Sequence, residues 1–199
     1  MTDAIRLAIF GAVLFGIMLM AGAADAHSQG SVAGGFVSGL THPILGWDHV
    51  VAMVAVGMWG AFLGLPAIWL LPVIFPMVMS LGAVLGIIGI PIPAVETGIA
   101  GSAVVLGLLI LLAAKPPLWV AGLIVAVFAV FHGYAHGLEL PEAANPLHYA
   151  AGFVIATGIL HLIGIAFGLL TGWPLGRYAV RAGGGVISLV GLAFLLGKA

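Results

Sequence analysis

The chain has 199 residues, 63% of them hydrophobic and only 6% charged, with a formal net charge of −1 and no cysteine; its mean hydropathy is +1.33. Soluble domains carry about 25% charged residues, so this composition excludes a soluble globular fold. The lack of a basic excess argues against a nucleic-acid partner, and the lack of cysteine excludes disulfides and thiolate metal ligands. What remains is an all-α polytopic membrane protein in which seven histidines stand beside five cations and six carboxylates.

In chain order, residues 1–26 read as a cleavable signal peptide, with an uncleaved first transmembrane helix as the alternative. Arg6 supplies the charged start, 7–20 the apolar core and Ala24-Asp25-Ala26 the small-x-small cleavage site. Cleavage after Ala26 leaves His27 at the new N-terminus, where its amine and imidazole offer a bidentate chelate for a divalent ion or, the blander expectation, stay solvated on a mobile terminus. Residues 27–199 then form a single transmembrane domain. At about 20 apolar residues per crossing, six transmembrane helices are expected at about 41–65, 66–90, 94–114, 117–140, 145–170 and 174–197. The Gly-rich 30–40 stretch is too short to cross and is expected as a re-entrant or surface helix. The breaks carry Pro or Gly, as in Gly64-Leu65-Pro66, Pro91-Ile92-Pro93, Lys115-Pro116-Pro117 and Gly172-Trp173-Pro174.

The first expected span opens with THPILGWDH. On one continuous helix His42 and His49, seven apart, lie on one face about two turns from each other, with Gly46 between them. Pro43 suits a first helical turn, where its missing N–H costs nothing. Asp48 points about 100° away from His49, and serves either as a ligand from another angle or as the carboxylate that holds an imidazole in one tautomer. Glu96 opens the third span.

The fourth span closes on FHGYAHGLE. His132 and His136 are four apart and Glu139 follows by three, so all three share one stripe. Gly133 and Gly137 beside them let a neighbouring helix approach closely. Ionisable groups inside lipid usually face a bundle interior or a water-filled path. His148 opens the fifth span at the interface. His161 sits about 20 Å deeper at 1.5 Å per residue, too deep for the same cluster, and reads either as a relay or second stop on a path or, the blander reading, as a buried histidine bonded to a group such as Thr157. Glu142 lies in a polar outer turn, solvated.

An exported N-terminus places Lys115, Arg177 and Arg181 on the cytoplasmic side and only Lys198 outside. The same topology delivers His42, Asp48, His49, Glu96, His132, His136, Glu139 and His148 to one outer level. Imidazole and carboxylate without thiolate suit Ni²⁺, Co²⁺, Zn²⁺ or Cu²⁺ better than Ca²⁺ or Mg²⁺, and binding needs neutral imidazole, so capture weakens in acid. No phosphate-binding loop is present for ATP.

HPILGWDH and FHGYAHGLE together resemble the paired signatures of the HupE/UreJ family of nickel and cobalt permeases, which serve hydrogenase and urease maturation. The likeness covers leader, six spans and both motifs in order. It implies uptake of Ni²⁺ or Co²⁺ across a bacterial inner membrane by a non-enzymatic secondary permease with no prosthetic group, its mature N-terminus periplasmic. By position the important residues fall on His42, Asp48, His49, His132, His136, Glu139 and Glu96. The expected partners are the divalent ion and the bilayer, with a homo-oligomer left open. Two other readings use the same ligands. One is an intramembrane Zn²⁺ hydrolase with Glu139 or Asp48 as base; the other is an accessory protein that binds metal without moving it.

Overall fold

Proline and glycine stand at most of the helix breaks, as at Gly46, Gly64-Leu65-Pro66 and Trp173-Pro174. The computed structural model describes residues 32–140 and 145–197, so the expected signal peptide, His27, Glu142 and Lys198 lie outside the described residues. Among the described residues every regular element is helical: α1 (Val32–Leu45), α2 (Trp47–Leu63), α3 (Ala67–Ile87), α4 (Val95–Leu111), α5 (Leu118–Leu138), α6 (Pro146–Gly168), a 3-10 turn (Leu169–Gly172) and α7 (Pro174–Leu195). Pro146 and Pro174 each sit in the first turn of their helix, where a missing N–H is harmless. Asn145 caps α6 by accepting from the Leu147 and His148 amides at 3.0 and 3.3 Å.

Among the described residues four helices are long and apolar enough to cross a membrane: α3, α5, α6 with its 3-10 turn, and α7. The α1–α2 pair makes a fifth only as one span bent by 79°, and α4 is a shorter apolar helix of 17 residues. The first expected span is therefore corrected. It is not one helix over 41–65: α1 ends at Leu45 and α2 starts at Trp47, so His42 and His49 belong to different helices. Pro43 lies in the last turn of α1 rather than a first turn, and its ring cannot continue the backbone ladder. Gly46 caps α2 in an extended conformation, φ −84° and ψ 105°. A Cβ on Gly46 would stand 3.0 Å from both Asp48 Oδ1 and His49 Nδ1, so the break needs glycine to leave room for that pair.

Close packing uses the small residues. A Cβ on Gly133 would collide with the Met79 carbonyl and one on Gly137 with the Ala83 carbonyl, so α5 lies directly on the backbone of α3. Gly57 and Gly164 do the same between α2 and α6. Without a hydrophobic drive between helices in lipid, such backbone approach is what holds them. The outward faces stay apolar: Val73, Met77, Leu81 and Val84 form an exposed stripe along α3, which lipid tolerates and water does not.

The two ends of the bundle differ chemically. At one end Arg181 Nε donates to the Leu111 carbonyl at 2.8 Å and Trp59 Nε1 to the Ala114 carbonyl at 3.3 Å. Lys115 Nζ lies 5.1 Å from the Phe62 ring centre. Lys115, Arg177 and Arg181 line one cavity there, of about 560 Å³. Exposed Trp69, Trp119 and Trp173 stand where α3, α5 and α7 begin, the usual place for tryptophan at a membrane interface. The histidines and carboxylates gather at the other end.

Candidate metal centre

His49, in the first turn of α2, is held by its neighbour. Asp48 Oδ1 lies 2.7 Å from His49 Nδ1 and also accepts the His49 amide at 2.9 Å. A carboxylate can only accept, so Nδ1 carries the proton and Nε2 keeps a bare lone pair. That nitrogen is buried with no protein partner. His132, a turn and a half before the end of α5, repeats the pattern. Its Nδ1 donates to the Phe128 carbonyl at 2.9 Å, and Nε2, on a ring with no exposed surface, has no partner. Fixing one imidazole nitrogen to present the other is how metal-binding histidines are usually oriented. Of the two roles the sequence allowed Asp48, the geometry displays the orienting one.

His136 and His42 complete the group. Neither ring nitrogen of His136 has a partner. Its ring centre lies 4.5 Å from His49, 4.9 Å from His42 and 4.1 Å from Phe153. His42 Nε2 reaches Glu139 Oε2 at 3.0 Å, tying α1 to the C-terminal cap of α5, and His136 Nδ1 stands 3.9 Å from the same oxygen. One ligand atom each from His42, His136 and Glu139 lies within 4.8 Å of the others. Bonds of about 2.0–2.2 Å put ligands at most about 4.4 Å apart, so closing on an ion takes a few tenths of an ångström. The His42 imidazole holds the Glu139 carboxyl below its usual range, so it stays an anion. The bend at Gly46 makes this possible. Seven residues on a straight helix span about 10.5 Å, whereas the His42 and His49 rings are 6.2 Å apart. A cavity of about 290 Å³, lined by Ser38, Thr41, His42, Asp48, His49 and Glu139 among others, opens onto the group.

The remaining expected residues fall elsewhere. Glu96 is exposed in the first turn of α4 and outside the His42–His136–Glu139 group. His148 is half-buried near the start of α6, its Nδ1 without a partner. His161 is buried further along α6. Sequence reasoning missed Tyr149, whose ring lies 6.3 Å from His42 and whose hydroxyl is buried without a partner. It also missed Phe153. The available signal was the four-residue spacing of Tyr149, Phe153, Thr157 and His161, which puts all four on one stripe of α6.

Fold and site together define a helical membrane protein with a histidine–carboxylate group at one end, arranged so that a cation can be held. The profile described as HupE / UreJ protein matches residues 15–194. Protein HupE of Rhizobium leguminosarum bv. viciae is 46% identical over 173 residues, covering 86% of this chain and 91% of that protein. The chain belongs to the HupE/UreJ family. No solved structure matches it.

Proposed function

We propose that this chain is a secondary permease for Ni²⁺ or Co²⁺, working in a bacterial inner membrane with its histidine end toward the periplasm. Uptake would supply hydrogenase or urease maturation. One observation carries the reading: imidazoles from α1, α2 and α5 converge with Glu139 at one end, with the Nε2 atoms of His49, His132 and His136 buried and unpartnered. Each unpaired buried polar group costs about 1–3 kcal/mol. A fold that accumulates several in one place recovers the loss when a cation arrives.

The vestibule beside Ser38 and Thr41 admits the hydrated ion, and His42, His136 and Glu139 replace part of its water. His49, oriented by Asp48, and then His132 take it inward, since their rings follow in contact: His136 to His49 at 4.5 Å, His49 to His132 at 5.2 Å. All three Lys and Arg side chains among the described residues sit at the far end, which the positive-inside tendency assigns to the cytoplasm. With α1–α2 as one broken crossing and α4 at the short limit of about 17 residues, the described residues cross six times.

The test is radiolabelled Ni²⁺ and Co²⁺ uptake into vesicles. His49→Ala and His132→Ala are expected to lower uptake to background with protein level unchanged. Unchanged uptake in both variants overturns the reading. Metal binding without flux in the wild type points to an accessory protein instead.

A further inference from the structure

We propose that the cation path continues beyond His132 to a second, deeper stop formed by His161 and Thr157 of α6, with the ring of Phe75 standing between the two stops. The proposal rests on the permease reading, and three observations carry it.

His161 has the same set as the two oriented histidines of the outer group. Its ring is 2% exposed, its backbone hydrogen-bond partner is Pro72, and its Nε2 is buried with no partner. Proline offers only a carbonyl, so the nitrogen that meets it donates and the other keeps its lone pair. That carbonyl is free because Pro76, four residues on, has no N–H to give it.

Thr157 lies one turn before His161 on the same stripe and has no exposed surface. Hydroxyls in helices commonly bond back to their own backbone. Thr41, Ser80, Ser102 and Thr171 do so here, onto Val37, Pro76, Ile99 and Gly168. The Thr157 hydroxyl makes no such bond and is left without a partner. Satisfying Pro72 accounts for one nitrogen of His161; it does not account for the bare Nε2 or the free hydroxyl.

The third observation is continuity. Phe75, fully buried, has the His132 ring 5.4 Å away on one side and the His161 ring 5.5 Å away on another. It sits on α3 between Pro72 and Pro76, where two backbone bonds are missing, so this part of α3 is the loosest available for a ring to swing aside. The deeper stop brings imidazole and hydroxyl without a carboxylate. It therefore holds a divalent ion less tightly than the outer group, as onward release requires.

The test uses the full chain in proteoliposomes with radiolabelled Ni²⁺, together with equilibrium Co²⁺ binding read from the visible spectrum. His161→Gln keeps a donor for the Pro72 carbonyl, and Thr157→Val keeps the shape without the hydroxyl. The expected result is a loss of flux of about tenfold or more in His161→Gln and of several-fold in Thr157→Val, with Co²⁺ affinity at the outer group within twofold of wild type and saturating stoichiometry reduced from two ions to one in His161→Gln. If His161→Gln fails to fold, Thr157→Val decides. Wild-type flux with unaltered stoichiometry in the folded variants overturns the second stop. If the wild type carries no metal at all, the permease reading falls, and the stoichiometry of the variants alone still decides whether a second ion binds at His161.

Discussion

Asp48 lines the cavity beside His42 and Glu139, and its carboxylate is spent on orienting His49. Its oxygen takes both the ring and the backbone N–H of the next residue, so it sets tautomer and ring angle together. Asp48→Asn keeps the size but removes the anion that stabilises this tautomer. Nickel affinity measured by calorimetry is expected to fall about 10–100-fold with the helix content unchanged by circular dichroism. The spacing of His132, His136 and Glu139 was legible in the sequence because all three fall within about two turns of one helix. Tyr149 and Phe153 were not. Aromatic residues in an apolar helix look the same whether they face lipid or imidazole, and only packing against His42 and His136 separates the cases.

Among the elements, the α1–α2 break has the largest consequence. A straight helix would carry His42 away from His49 and leave Glu139 with only His136 beside it. Bending at Gly46 turns α1 so that His42 closes the group from above. The sequence did contain Pro43 and Gly46, but a Pro-x-x-Gly string fits a first turn as readily as a last one. The preference arises because α1 packs along the start of α6, where a Cβ on Gly39 would strike the Tyr149 carbonyl. The α3–α5 contact makes a second prediction. Gly133→Ala forces a methyl into the Met79 backbone and is expected to destabilise the protein in detergent by about 1–3 kcal/mol, read as a lower midpoint of thermal unfolding. The opposite sign is expected at Ala94, which caps α4 with φ 56° and ψ 41°. Left-handed backbone is unfavourable for alanine and open to glycine, so Ala94→Gly raises the midpoint, by an amount equivalent to about 0.5–1 kcal/mol.

The molecule as a whole is polarised: imidazole and carboxylate gather at one end, ammonium and guanidinium at the other. Because the chain has no cysteine, the orientation can be read with single introduced thiols. A membrane-impermeant maleimide added to intact cells stripped of their outer membrane is expected to label Ser38→Cys in the vestibule and to leave Tyr178→Cys untouched. Inverted vesicles are expected to reverse the pattern. Added Ni²⁺ is expected to slow labelling of Ser38→Cys, since an ion on His42 and Glu139 narrows the same cavity. Labelling of Tyr178→Cys from outside would contradict the proposed orientation.

Membrane class, helical content, the positions of most breaks and the identity of the histidine-rich motifs follow from the sequence alone. Each depends on composition or on spacing within a few turns of one helix, and short-range geometry is the same in every context. Which histidines meet was decided by the tertiary structure. Three helices had to converge, two of them separated by the break at Gly46, before His42, His49, His132, His136 and Glu139 shared a single end of the bundle. Glu96, expected with them on the same reasoning of level, stands exposed on α4, because equal depth in a membrane does not fix the direction in which a helix turns its side chains.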